Sequence, residues 1–90
     1  MTLDEILEEA EKICREENVE SLYLFGSYAK GNATDTSDVD LFVKGAKNMA
    51  ILRDKLENIR TLKKIDLVDY DNCRNESLKE AMDRYGKKIY

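Results

Sequence analysis

The chain has 90 residues, 42% hydrophobic and 38% charged, with 15 basic against 19 acidic side chains for a net charge of −4. A single domain spanning 1–90 is expected, since domains usually run ~50–250 residues, and its stability must come from regular packing because a chain this short buries only ~60–65% of its unfolded surface. The mixed-charge composition lacks the clustered basic surplus of a nucleic-acid backbone binder, so no direct nucleic-acid binding is expected.

Thr2-Leu3-Asp4-Glu5 is a capping-box pattern and predicts a helix start. Leu3, Ile6, Leu7, Ala10, Ile13 and Cys14 follow at helical spacing as one apolar stripe, with fraying near Glu17-Asn18. Leu22 to Phe25 is a short apolar and aromatic run ended by Gly26, which reads as a buried strand. Ser27 to Ser37 is small, polar and glycine-punctuated, a loop with at most one helical turn. Asp38 to Val43 alternates strictly, with Val39, Leu41 and Val43 on one face and Asp38, Asp40 and Phe42 on the other. Leu52, Leu56 and Ile59 predict a helix over Met49 to Ile59. Ile65 to Val68 is a third strand, with Asp66 opposite Ile65 and Leu67. A last helix runs from a cap at Asn75 through Leu78, Ala81, Met82 and Tyr85 to a stop at Gly86, and Lys87 to Tyr90 is a candidate edge strand. The order implies an α+β fold, α/β-like in character: a small mixed sheet of three or four strands with helices packed on one face.

No apolar run approaches the ~20 residues of a membrane span, and Met1 to Ile13 is studded with acids rather than built as a signal peptide. A cytoplasmic protein without membrane association is expected. Cys14 and Cys73, with no histidine in the chain, cannot form the usual Cys/His structural zinc site, and a disulfide is disfavoured in a reducing compartment. Cys14 reads as core and Cys73 as an ordinary thiol. Without histidine there is no Ser-His-Asp or Cys-His catalysis, so chemistry falls to carboxylates, hydroxyls, lysines or a metal held by oxygen.

Asp38 and Asp40 are two apart on a strand, so they project to one side with Cα atoms ~6.5–7 Å apart. Two such anions repel unless a positive charge joins them, and Mg²⁺, a hard cation taking oxygen ligands, is the natural candidate. Asp66 completes a three-carboxylate set if its strand is a neighbour. Asp69 has the parity of the apolar Ile65 and Leu67, and Asp71 lies beyond the strand end, so both rank below Asp66. Taken alone, Asp-x-Asp describes ordinary solvent-facing acids. What shifts the balance is the segment just before it, where Gly26 ends a strand and Ser27 opens a turn, so that backbone N–H groups and the Ser27 hydroxyl can converge on a phosphate. Rival motifs fail: Gly26 and Gly31 have P-loop spacing, but Asn32-Ala33 stands where Lys-Ser/Thr is needed, and Phe42 occupies an EF-hand ligand position. Ser27-x-x-Lys30 has the form of a nucleophile and its base, yet it leaves the aspartate pair unexplained. Lys44, Lys47, Lys63 and Lys64 could neutralise a triphosphate, though lysines flanking strands are usually solvated.

Gly26-Ser27, ten residues, then Asp38-Val39-Asp40 resembles the signature of the DNA polymerase β-like nucleotidyltransferase superfamily. The fuller string GSYAKGNATDTSDVDLFV is similar to its minimal nucleotidyltransferase branch, commonly paired with a HEPN-domain partner as a toxin–antitoxin system. Lys64 to Val68 is placed like the strand of the family's third aspartate, and Tyr85 to Tyr90 looks like its usual ending. The resemblance implies the nucleotidyltransferase fold and transfer of AMP from ATP to an acceptor hydroxyl, a tyrosine on a cognate HEPN toxin. It further implies that Asp38, Asp40 and Asp66 hold two Mg²⁺ ions, that Asp66 helps deprotonate the acceptor, and that Gly26 and Ser27 bind the β- and γ-phosphates. Lys30 stands where the family usually has arginine, which keeps the charge on the nucleotide side and loses the planar fork. Two alternatives stay open: an antitoxin acting by contact alone, and transfer to a small molecule, although that branch normally adds a helical domain.

Overall fold

A computed structural model of residues 1–90 has the order α1 (Leu3–Glu16), β1 (Ser21–Phe25), α2 (Ser27–Lys30), β2 (Val39–Lys44), α3 (Met49–Glu57), β3 (Ile65–Asp69), α4 (Glu76–Tyr85) and β4 (Lys87–Lys88). Local signals set most of the boundaries. Thr2 Oγ1 accepts from Glu5 N at 3.2 Å while Glu5 Oε1 accepts from Thr2 N at 2.9 Å, the reciprocal box that starts α1. Asn48 and Asn75 cap α3 and α4 by accepting from Ile51 N and Leu78 N at 3.1 and 3.0 Å. Past the end of α1, Asn18 takes φ 57°, a left-handed turn that asparagine tolerates better than most residues.

The strands form one sheet in the order β3-β2-β1-β4. β1 runs antiparallel to both β2 and β4, while β2 and β3 are parallel and joined through α3. Lys87–Lys88 is the edge strand expected near the C-terminus, and it is extended by Ile89 N donating to Leu22 O at 2.8 Å and Leu22 N donating to Tyr90 O at 3.0 Å. Tyr90 ties the edge down further, its hydroxyl donating to Val19 O at 2.9 Å.

The strand alternation places the main core where the sequence predicts. Leu22, Leu24, Val39, Leu41 and Val43 face Ile6, Ala10 and Cys14 of α1 and Leu52 and Leu56 of α3, all buried in one cluster. At ~1.5–3 kcal/mol for each buried aliphatic side chain, this layer dominates the stability of so small a chain. Burial also pushes the Cys14 thiol up to about 11, in keeping with an inert core cysteine.

The second face is covered as well, which the expectation of helices on one face did not include. Phe42 and Met82 are buried, at 2% and 1% exposure, outside the main cluster. Tyr23 stacks on Phe42 with ring centroids 4.6 Å apart, Phe25 meets it edge-on at 5.4 Å, and Tyr70 lies at 5.8 Å. α4 belongs to this side, with Tyr70 Oη donating to Asp83 Oδ1 at 2.6 Å. A phenylalanine with the parity of the acids needs its own cover, and α4 supplies it. No helix is long and apolar enough to cross a membrane.

Gly86, which follows α4, has φ −64°, a conformation open to any residue. Its need for glycine is steric, because a Cβ there would lie 2.7 Å from Phe42 Cζ and 2.6 Å from Met82 O. Gly86→Ala should therefore destabilise the fold by about 1–3 kcal/mol, the usual cost of overpacking. Urea unfolding measures it, and an unchanged midpoint would show that α4 does not press on Phe42 as described.

Candidate functional site

The site is a row across three strands. Phe25 pairs with Asp40 in β1–β2, and Asp40 pairs with Asp66 in β2–β3. Residues paired in register project to the same face, so the Asp40 and Asp66 carboxylates stand side by side on the face away from α1 and α3. Asp38 shares their parity just before β2 and is exposed, whereas Asp40 is half-buried. The Asp66 side chain is 41% exposed.

Gly26 leaves β1 beside this row. A Cβ at Gly26 would collide with Asp40 Oδ2 and lie 3.1 Å from Asp40 Cγ, and its φ of 72° is left-handed. Both conditions require glycine, so the chain clears space for Asp40 at the point where it turns into α2. Ser27 opens α2 half-buried, and its hydroxyl takes no part in the hydrogen bonds that organise the neighbouring loop. That loop closes through Ser37 Oγ, which accepts from Thr34 N at 2.8 Å, and Ser37 N, which donates to Thr34 O at 3.0 Å. Lys30 turns elsewhere, its ammonium 4.5 Å from the centroid of the Tyr85 ring. Ser27 and Lys30 are thus not assembled as nucleophile and base.

The other acids have structural partners. Asp69 accepts from Asp71 N at 3.2 Å and from Asn72 Nδ2 at 2.6 Å, and Asp71 Oδ2 accepts from Gly45 N at 2.7 Å. Of the candidates for a third acid, the register places only Asp66 directly beside Asp40.

Charge within the row is poorly balanced. Burial first, then the Asp66 and Asp38 carboxylates, hold the Asp40 pKa above its ordinary value, and Lys64 opposes them. Lys64 Nζ lies 3.6 Å from Asp66 Oδ1. The alternation that puts Asp66 on this face puts Lys64 there too, a signal present in the sequence and outweighed there by the usual solvation of lysines. The structure gathers no three acidic or cysteine side chains into a ready metal-binding group. The donors are nonetheless hard carboxylate oxygens on one face, with Asp40 repelled by its neighbours, and the two outer acids are exposed enough to change rotamer. This donor set fits a divalent cation of the Mg²⁺ type.

The family profile described as Polymerase beta, Nucleotidyltransferase matches residues 8–90. A protein of Methanocaldococcus jannaschii that carries the name protein adenylyltransferase MJ1379 is 34% identical over 88 residues, covering 90% of this chain and 88% of its own. Among solved structures, a chain of a toxin–antitoxin pair crystallised with AMP-PNP superposes with a TM-score of 0.77 at 28% identity, covering 93% of this chain and 72% of that one. A chain from a mutant of the MntA-HpeT toxin–antitoxin pair gives 0.73 at 25% identity, over 93% and 71%.

A carboxyl whose pKa is raised by folding binds its proton more tightly in the native state than in the unfolded chain. Its cost to stability is absent below the ordinary value of 3.8 and grows as pH rises through the folded value. Asp40→Asn should therefore melt higher than the parent at pH 7, with the advantage shrinking as the pH falls toward 3.8. Thermal melts across that range check the sign, and a lower melting temperature at pH 7 would mean that the carboxylate is a structural acceptor instead.

Proposed function

The chain belongs to the polymerase β nucleotidyltransferase family, and from that membership and the geometry of its site we propose that it transfers AMP from ATP to a hydroxyl of a partner protein. The partner is a toxin of a toxin–antitoxin pair, and a tyrosine of a HEPN-domain toxin is the acceptor. The reading is carried by the cross-strand pairing of Asp40 with Asp66, held beside a Gly26 whose missing side chain leaves Asp40 its place. The likeness to a toxin–antitoxin chain crystallised with AMP-PNP and the name of the archaeal relative support the choice of adenylate.

In this reading Gly26 and Ser27 receive the β- and γ-phosphates through backbone N–H groups and the Ser27 hydroxyl, with Lys30 adding charge on that side once it leaves Tyr85. Asp38, Asp40 and Asp66 would hold two Mg²⁺ ions, which when bound offset charge on the α-phosphate and on the leaving group. Asp66 lies on the acceptor side and takes the hydroxyl proton. The acceptor oxygen bonds to the α-phosphorus, the bond from that phosphorus to the bridging oxygen breaks, and pyrophosphate departs. An open groove of about 280 Å³ lies between the end of α3, at Leu56, Glu57 and Ile59, and the segment from Thr61 to Asp66. Through Thr61 and Lys63 it meets a second hollow of about 480 Å³ over Asp35, Thr36 and Ser37.

The test is incubation of the chain with each radiolabelled nucleoside triphosphate, Mg²⁺ and the neighbouring gene product, followed by intact-mass analysis of the partner. One AMP per modified site is expected, from ATP in preference to the other nucleotides. Asp66→Asn should lower the rate on the order of 10²–10⁴-fold, the range of a lost general base, while partner binding stays nearly unchanged, because interfaces rest on apolar and aromatic anchors. A variant that still neutralises the toxin with no mass added to it would replace this reading with neutralisation by contact.

A further inference from the structure

Lys64 is the only basic residue paired with an acid of the site. Of the four ion pairs in the structure, Arg15–Glu11, Lys55–Glu17 and Arg84–Glu80 lie elsewhere, and Lys64–Asp66 alone includes a member of the row. Three other lysines near this face are otherwise engaged. Lys63 Nζ donates to Asp35 O at 3.0 Å, Lys30 lies over Tyr85, and Lys44 lies between the rings of Tyr23 and Tyr70. The position of Lys64 is fixed by the sheet. Its carbonyl accepts from Val39 N at 2.8 Å, and Val39 is the residue between Asp38 and Asp40. Carrying the Val39–Ile65 register back by one residue sets Lys64 beside Asp38, so three acids and one lysine occupy the corners of a single patch two residues deep on two adjacent strands.

We propose that Lys64 is a resident counter-ion of the carboxylate row that gives up Asp66 when a divalent cation enters and transfers its charge to the triphosphate. This rests on the nucleotidyltransferase reading of the site. The ammonium meets the Asp66 carboxylate at Oδ1, and an incoming cation would compete with it for that carboxylate's charge. The pair suits release, since its side chains are 71% and 41% exposed and it is held by one contact of 3.6 Å; such exposed pairs are individually weak. Once the carboxylates are neutralised by cations, the strongest remaining anion near Lys64 is the triphosphate, and its long, solvated side chain can reach toward it with its backbone still pinned to β2. Lys64 is thus a positioning residue with opposite effects on two ligands: it weakens the binding of free cation and strengthens the binding of cation with nucleotide.

Calorimetric titration of the full chain with Mg²⁺ alone, and then with Mg²⁺ and a non-hydrolysable ATP analogue, separates these effects. Lys64→Gln should bind Mg²⁺ alone about 2–5-fold more tightly, the span of an exposed ion pair. It should bind the analogue with Mg²⁺ about tenfold more weakly, as expected for loss of a charged phosphate contact. Lys64→Arg keeps the charge and should follow the parent in both titrations. Unchanged Mg²⁺ affinity in Lys64→Gln would overturn the inference, and tighter Mg²⁺ with undiminished analogue binding would overturn the transfer to the triphosphate. A parent chain that binds neither Mg²⁺ nor the analogue would overturn the site assignment itself, and this inference with it.

Discussion

The structure is arranged around carboxylates held together against their mutual repulsion. Asp40 is half-buried between Phe25 and Asp66 in the sheet, and its pKa is raised first by that burial and then by the neighbouring acids. Such a row lowers stability unless something else gains from it. The surrounding features respond to that condition: Gly26 gives up a side chain where Asp40 needs room, Lys64 supplies one compensating charge, and Asp38 stays exposed where water screens it.

The apolar parts of the fold make that cost tolerable. One face of the sheet is sealed by α1 and α3 in a continuous aliphatic layer, and the opposite face carries a smaller aromatic group around Phe42 under α4. Phe25 joins the two regions, packing edge-on against Phe42 while pairing in register with Asp40. The acids therefore stand beside the aromatic group on the same face.

The same economy shapes the turn that follows β1. α2 is a single turn, entered through a left-handed glycine and left through another at Gly31 with φ 80°. The turn projects Ser27 beside the acids and sends Lys30 to Tyr85 at the end of α4. Lys30 is thereby held by α4 through Tyr85, as Asp66 is held by Lys64.

The sequence alone determined the elements and the parity of the site. The Thr2–Glu5 box, the Asn75 cap and the alternation of Val39 to Val43 are short-range features, each decided by neighbours within four or five residues, and they placed Asp38, Asp40 and Phe42 on one face before any tertiary contact was known. The Gly-Ser and Asp-x-Asp spacing pointed to the family for the same reason, since it records local chemistry. Tertiary structure decided what local pattern does not contain. The parallel pairing of β2 with β3 brought Asp66 to Asp40 and left Asp69 and Asp71 to the following turn. The packing of α4 on the second face gave Phe42 its cover and made Gly86 a steric necessity, where the sequence had shown only the stop of a helix. Lys64, still largely solvated, gained Asp66 as a partner. Each of these depends on which distant strand or helix lies alongside, and that is set by the burial of whole faces and the register between strands, to which every residue of a face contributes and which no single stretch of sequence encodes.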